Sequence, residues 1–336
     1  MKRSKFLFAL CAFAALALFP LVAEPYGIDR VTKIMVFGVF ALSLQLLVGG
    51  TGLVCFGQAA FFGVGAYASV LLSPPDAPAS VLWLLPVSVL AAALVALFVG
   101  ALSLRTKGVY FIMVTLAFSQ MAFYVVHDTP LGGGTDGIYL THKPVLGALL
   151  DLERPQTMYA FTLACLAGVF GLLALLLRSR FGRALDGIRV NEQRMRATGF
   201  STYPYKLAAF VISGGLAGLA GFLFAMKDGF VNPELMSWHV SGEVLIMIIL
   251  GGLGHLRGAL LGAFAFALLQ EFFKSEAVFG DFAKHWHLGL GLSIIASVAL
   301  LPRGLVGLPG QLVARMVGRA LPGPGGRGQG VPREPH

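Results

Sequence analysis

The sequence predicts an all-α integral membrane protein. It would be a polytopic helical bundle of about ten transmembrane spans (eight to ten), with glycine-rich, partly broken helices and both termini cytoplasmic. Three observations predict it. Of 336 residues 57% are hydrophobic and only 12% charged, against about 25% charged in an average soluble domain. Apolar runs recur near the length of about 20 residues that a helix needs to cross a bilayer. The basic residues between those runs are distributed one-sidedly.

The first run lies in "MKRSKFLFALCAFAALALFPLVAEP", whose basic start a secretory signal would share. It is long for the apolar part of such a signal, and Leu21-Val22-Ala23 is a poor small-residue cleavage site. A retained helix is therefore expected over 6–23. Further cores are expected at 33–49, 56–72, 81–104, 108–126, 157–177, 206–226, 240–253, 259–273 and 286–301. The pair 240–253 and 259–273 is short and separated by the glycine-rich "GGLGHLRG", which fits two full spans or two half-helices. Residues 1–310 thus read as a single transmembrane domain that includes a polar loop at 178–205. The stretch 311–336, ending in "PGPGGRGQGVPREPH", reads as a disordered cytoplasmic tail.

Orientation follows from counting. With the N-terminus inside and the spans alternating, 18 of the 25 Lys and Arg residues fall inside, seven of them between Arg178 and Lys206. That excess sets the topology and makes 178–205 a cytoplasmic loop. The outer loop at about 127–156 contains "PLGGGTDGIY", a flexible turn or a docking surface; no Gly-Lys-Ser/Thr closes it, so it is not a phosphate loop.

Glycine is concentrated in the apolar runs. Gly52, Gly57, Gly63 and Gly65, then Gly214 and Gly218, then Gly251 and Gly252 are expected at close helix contacts, because lipid gives helices no hydrophobic reason to associate. Gly49-Gly50 and Gly251-Gly252 could also break helices, as paired interruptions do at transport sites.

Catalytic signatures are missing: the sequence has no nucleotide-binding loop, no H-E-x-x-H and no G-x-S-x-G. An enzyme is not expected, nor a metal, a resident cofactor or a nucleic-acid partner. Cys11, Cys55 and Cys165 lack metal or disulfide spacing and read as packing residues. His285 and His287 around Trp286 read as membrane-interface residues. Gln45, Gln58, Thr115, Ser119 and Gln120 are candidates for a pathway or for helix-to-helix hydrogen bonds. Glu243, in "SGEVLIMIILGG", is a structural anchor, a pathway group or an interfacial carboxylate. Glu271 reads as interfacial.

The most charged stretch is "FGRALDGIRVNEQRMRATG", residues 181–199. Phe181, Leu185 and Ile188 share one helical face, with Arg183, Asp186 and Arg189 on the others. Asn191 can cap a second short helix with Glu192 in its first turn and Gly199 at its end. The charged face, with Arg194 and Arg196, would lie on anionic lipid or dock on a cytoplasmic partner.

Four segments carry a resemblance: "GLVCFGQAAFFGVGAYASVLL", "GVYFIMVTLAFSQMAF", the loop and span from Phe181 through "SGGLAGLAGFLFA", and "LIMIILGGLGHLRGALLGA" with "LPRGLVGL". In this order, over roughly 33–308, the chain resembles permease subunits of ABC importers for branched-chain and other hydrophobic amino acids, in particular the LivM-type subunit. The resemblance implies a multi-pass protein of the bacterial inner membrane. It implies a sister permease, two cytoplasmic ATPase subunits that bind ATP and Mg, and a periplasmic substrate-binding protein. The 178–205 loop would then couple to an ATPase through Arg183, Arg189, Asn191, Glu192, Arg194, Arg196 and Gly199. Where general ABC permeases carry Glu-Ala-Ala six residues before the glycine, this chain has Gln193-Arg194-Met195. Urea and short-amide importers share the architecture. A self-sufficient secondary transporter and an intramembrane enzyme are the readings from other classes.

Overall fold

The computed structural model describes residues 12–21, 23–74, 79–146, 150–301 and 304–307. The expected tail at 311–336 and the start of the first apolar run lie outside them. Helical residues 12–18 lead through a 3-10 turn, Phe19–Leu21, to the first long helix. The helices are α1 (Pro25–Thr51), α2 (Gln58–Leu71), α3 (Val81–Ser103), α4 (Val109–Asp128), α5 (Pro155–Arg178), α6 (Arg180–Ala197), α7 (Thr202–Asp228), α8 (Trp238–Gly251), α9 (Leu256–Lys274) and α10 (Trp286–Leu300).

Among the described residues the regular structure is helical apart from two-residue strands. Six described helices, α1, α3, α4, α5, α7 and α9, are long and apolar enough to cross a membrane. Where about ten spans (eight to ten) were expected, α2, α8 and α10 are apolar but only 14, 14 and 15 residues long. The run expected at 56–72 is longer than the helix it forms, because its first residues, Phe56 and Gly57, are not helical, whereas α8 has the length expected for 240–253 and begins two residues earlier. Local signals set several ends. Pro25 opens α1, and Gly52 at φ 75° and Gly229 at φ 66° close α1 and α7 in the left-handed conformation that glycine adopts most readily.

Burial sorts the helices. α1 and α7 are mostly buried, whereas α3 buries one stripe, Leu84, Ser88, Ala92, Ala96 and Val99, and exposes Leu90, Leu94 and Phe98. That is the pattern of a helix with one face on protein and the other on lipid. α7 lies between α2 and α3 through its small residues. A Cβ on Gly214 or Gly218 would come within 2.3 Å of Ala96 or Ala92, and one on Gly221 within 1.8 Å of the Phe62 carbonyl oxygen. Gly65 lies equally close on the Gly218 backbone. α8 and α9 form an antiparallel hairpin rather than two halves of one helix: Gly251 meets Gly258, and Gly262 meets Met247. Gly63 does not meet a long helix; its neighbour is the Met236 side chain, on a 3-10 turn.

That turn, Pro233–Met236, belongs to a connection that re-enters the bundle. After α7 the chain forms strand Phe230–Val231, antiparallel to Ile138–Tyr139. The "PLGGGTDGIY" loop is therefore built in, through glycines 133, 134 and 137 at positive φ, and is not a free turn. Met236 then lies against α2, and its carbonyl accepts from Ser119 of α4 (3.1 Å), so α8 starts deep among the other helices.

Charge collects at the two ends. At one, Arg30 pairs with Glu271 (2.7 Å) and Lys227 with Asp29 (3.0 Å), tying α1 to α9 and α7. At the other, the α1 carbonyl of Gly49 accepts from Arg189 of α6 (2.6 Å). From Arg30 to Gly49 α1 rises about 28 Å, close to the hydrocarbon thickness of about 30 Å.

Candidate coupling loop and central polar knot

Ser179 caps α6, its hydroxyl accepting from the Gly182 amide (3.4 Å). Leu185 and Ile188 are buried and Phe181 stacks on Tyr205 of α7, 5.8 Å between centroids. The apolar face read from the sequence therefore lies on the bundle. At Asn191 the helix breaks: its backbone is extended (φ −160°, ψ 96°) and its Oδ1 accepts from the Arg194 amide (2.9 Å). The second piece closes at Gly199, φ 80°, where the Phe200 amide donates to Met195 O (3.1 Å) and the Gly199 amide to Arg196 O (2.9 Å). This pair of bonds satisfies carbonyls that the helix end leaves free.

Glu192 joins this short piece to α7. Its carboxylate takes the Lys206 ammonium (2.9 Å), the Thr202 hydroxyl (2.9 Å) and the Arg196 guanidinium (2.5 Å). Lys206 is buried there. Burial by itself would raise the Glu192 carboxyl; Lys206, Thr202 and Arg196 outweigh it and hold it down at about 2. Arg196, read from sequence as reaching outward, is held on Glu192 and also donates to Thr202 (3.1 Å), with its side chain still 49% exposed. Arg189 is likewise engaged, at the end of α1 and beside Gly52 and Gly254. Arg183 donates to the Arg178 carbonyl (3.3 Å) and is exposed. The side chains of Val190, Gln193, Arg194 and Ala197 remain exposed, Val190 at 79%.

In the membrane-spanning core the candidate polar groups divide. Gln45 of α1, with its amide oxygen turned to the α8–α9 turn, accepts from the amides of Gly254 (2.6 Å) and His255 (2.9 Å). Gln58 is fully buried; its amide nitrogen donates to Ser43 Oγ of α1 (2.9 Å) and Ser213 Oγ of α7 (3.0 Å), and Ser213 donates to Ser43 O (2.7 Å). The first amides of α2 are taken by other helices: Phe56 by Thr115 of α4 (3.3 Å) and Ala59 by Ser241 of α8 (2.9 Å). Helix starts leave such amides free, and here four other helices, α1, α4, α7 and α8, converge on one. Gly57 is held to the Thr115 carbonyl, where a Cβ would come within 2.9 Å. Gly252, at φ 118°, ends α8 against Gly304.

Gln120 and Glu243 stand apart from this knot. The Gln120 amide nitrogen is buried without a partner among the described residues. Sequence reading missed Ser43, Ser213, Ser241 and Lys206. Hydroxyls isolated in apolar runs were the available signal, since they serve as interhelical hydrogen-bond groups.

The family described as branched-chain amino acid transport system, permease component, matches residues 28–297. The chain is 30% identical over 330 residues to the high-affinity branched-chain amino acid transport system permease protein LivM of Escherichia coli K12, spanning 91% of this chain and 75% of that protein. It is 30% identical over 141 residues to the corresponding protein BraD of Pseudomonas aeruginosa, 42% of this chain and 44% of that one. It is also 30% identical over 141 residues to the xylose transport system permease protein XylH of Escherichia coli K12, 39% and 35% of the two chains. No solved structure matches.

Proposed function

Since the chain belongs to the branched-chain amino acid transport permease family, we propose that it is one of two membrane subunits of an ATP-driven importer of branched-chain or other hydrophobic amino acids. The relative that matches nearly the whole chain carries that substrate class in its name, which favours it over urea or short amides. A sister permease would complete the pathway, two cytoplasmic ATPases would bind ATP and Mg, and a periplasmic protein would deliver the substrate. The protein would sit in the bacterial inner membrane with α6 and both termini on the cytoplasmic side, as the basic asymmetry requires.

One observation carries the reading. The loop between α5 and α7 is a capped, kinked helix fastened to both buried helices, to α1 by Arg189 and to α7 by Glu192 and Lys206. Push on such a piece and the push reaches the core. Its outer face, Val190, Gln193, Arg194 and Ala197, is left for a partner. Arg194 would reach acidic or carbonyl groups of the ATPase, and exposed Val190 would fill an apolar hollow beside them.

The test separates the two arginines. Arg194→Glu should abolish co-purification of the ATPase subunits while the permease still inserts and folds. Arg196→Glu should lower thermal stability, because its partner is internal. Full ATPase recovery and normal uptake with Arg194→Glu would sink the docking role.

A further inference from the structure

Glu243 is a partly exposed carboxylate within an otherwise apolar stretch of helix, without a hydrogen bond or ion pair among the described residues. It sits on α8, eight residues and thus about 12 Å from Gly251, which packs on Gly258 of α9 next to the turn whose Gly254 meets Arg189. That places it between the two charged ends. The buried side of α8 is Ser241, Val244, Met247, Ile248, Leu250 and Gly251. Glu243 lies off it, partly exposed, on one face with Gly242 and Ile246. Nothing stands within 4 Å of a Cβ built on Gly242, so there is open space beside the carboxylate.

No hydrogen bond or ion pair is formed by Glu243 among the described residues. The groups that act on it electrostatically are Lys274, His239 and Lys33. Lys274 lies over the Trp286 ring, 4.1 Å from its centroid; Lys33 faces Asp228 at 3.9 Å; His239 stacks on Trp238. Each thus has a neighbour of its own. A charge at bilayer depth is costly and is kept where it meets a counter-charge or water. The Gln58 and Gln45 amides, by contrast, bind neighbouring helices.

We propose that the Gly242–Glu243–Ile246 face of α8 is a binding site for the ammonium group of a small amphiphilic amine in transit. The carboxylate takes the ammonium, Gly242 leaves room for it, and Ile246 with Ile249 one turn on receives the apolar part. Under the function proposed above the ligand is an amino acid, and the site rests on that reading for its natural substrate. The chemistry needed is a cation with a short hydrocarbon body.

The test uses the complete importer in lipid vesicles, with Cys11 and Cys165 replaced by Ser and Gly242→Cys introduced into the open space. Leucine and leucinol should slow maleimide labelling of that thiol at least fivefold, and 4-methylpentanoate, which lacks the amine, should not. Adding Glu243→Gln should remove the protection without changing recovery of the assembled complex. Three results would overturn the site: protection that survives Glu243→Gln, equal protection by 4-methylpentanoate, or no protection by either amine. Loss of complex assembly in Glu243→Gln would also overturn it, by giving the carboxylate a subunit partner. Failure of leucine uptake by the unmodified importer counts against the amino-acid function instead. Leucinol protection that depends on Glu243 supports the site in either case.

Discussion

Glu192 shows how much one side chain can decide. With Lys206 buried against it, removing Glu192 leaves the buried ammonium without a counter-charge and removing Lys206 leaves Glu192 with Arg196 alone as counter-charge; a buried charge stripped of its partner costs about 3–5 kcal/mol at a fully buried pair. The Glu192 side chain is 25% exposed, so the loss expected for Lys206→Met or Glu192→Gln is smaller, about 2 kcal/mol. The exchange Glu192→Lys with Lys206→Glu should recover much of it, as thermal unfolding of the purified permease would measure. The pH dependence has a fixed sign. The folded carboxyl is held below its ordinary 4.5, at about 2, so its stabilisation is complete above about 4.5 and fades as pH falls toward 2. Loop protection in hydrogen exchange should therefore persist to pH 5; loss between pH 7 and 6 would contradict it. Sequence made the caps legible, because Asn191 and Gly199 act on backbone within a few residues. The destinations of Arg189 and Arg196 were not legible, since Gly49 and Thr202 meet them only after the helices pack.

Among the helices, α7 offers the sharpest contrast between glycines. Gly221 has the Phe62 carbonyl where a methyl would go, whereas Gly171 of α5 has nothing within 4 Å. Gly221→Ala should lower stability by about 1–3 kcal/mol through overpacking and cut folded yield. Gly171→Ala should be neutral or slightly stabilising, as a helix interior favours alanine. Equal yields in a fluorescence-detected purification would remove the argument for a backbone contact. Small-residue spacing in "SGGLAGLAGFLFA" announced this role of α7. It did not announce that α2 would be short or how the chain enters α8. Residues 52–57 and 229–237, before these two helices, run mostly as extended or turning backbone, and their tolerance in the core depends on Thr115, Ser119 and Ser241 from distant parts of the chain. Periodicity sees side chains and is blind to such remote hydrogen-bond partners.

For the whole molecule, the charged ends fix where the membrane must lie. Thiols introduced at Arg194 and at Lys143, near opposite ends, should be labelled from opposite sides of the membrane, Arg194 from the cytoplasm. Labelling of both from outside intact cells would refute the topology. The close contacts of α7, with the backbone of α2 and the alanine methyls of α3, have a mechanical consequence. Helices seated carbonyl against glycine cannot slide past one another without collision, so stiffness is concentrated in that trio. Compliance must then reside in helices held by few buried residues, such as α4 with Phe111, Thr115 and Ser119 and α10 with Leu290. In a working cycle, spin labels on α2 and α7 should keep one separation throughout. A pair from α7 to α4 should alternate between two, so that the stiff trio serves as the fixed frame against which the periphery moves.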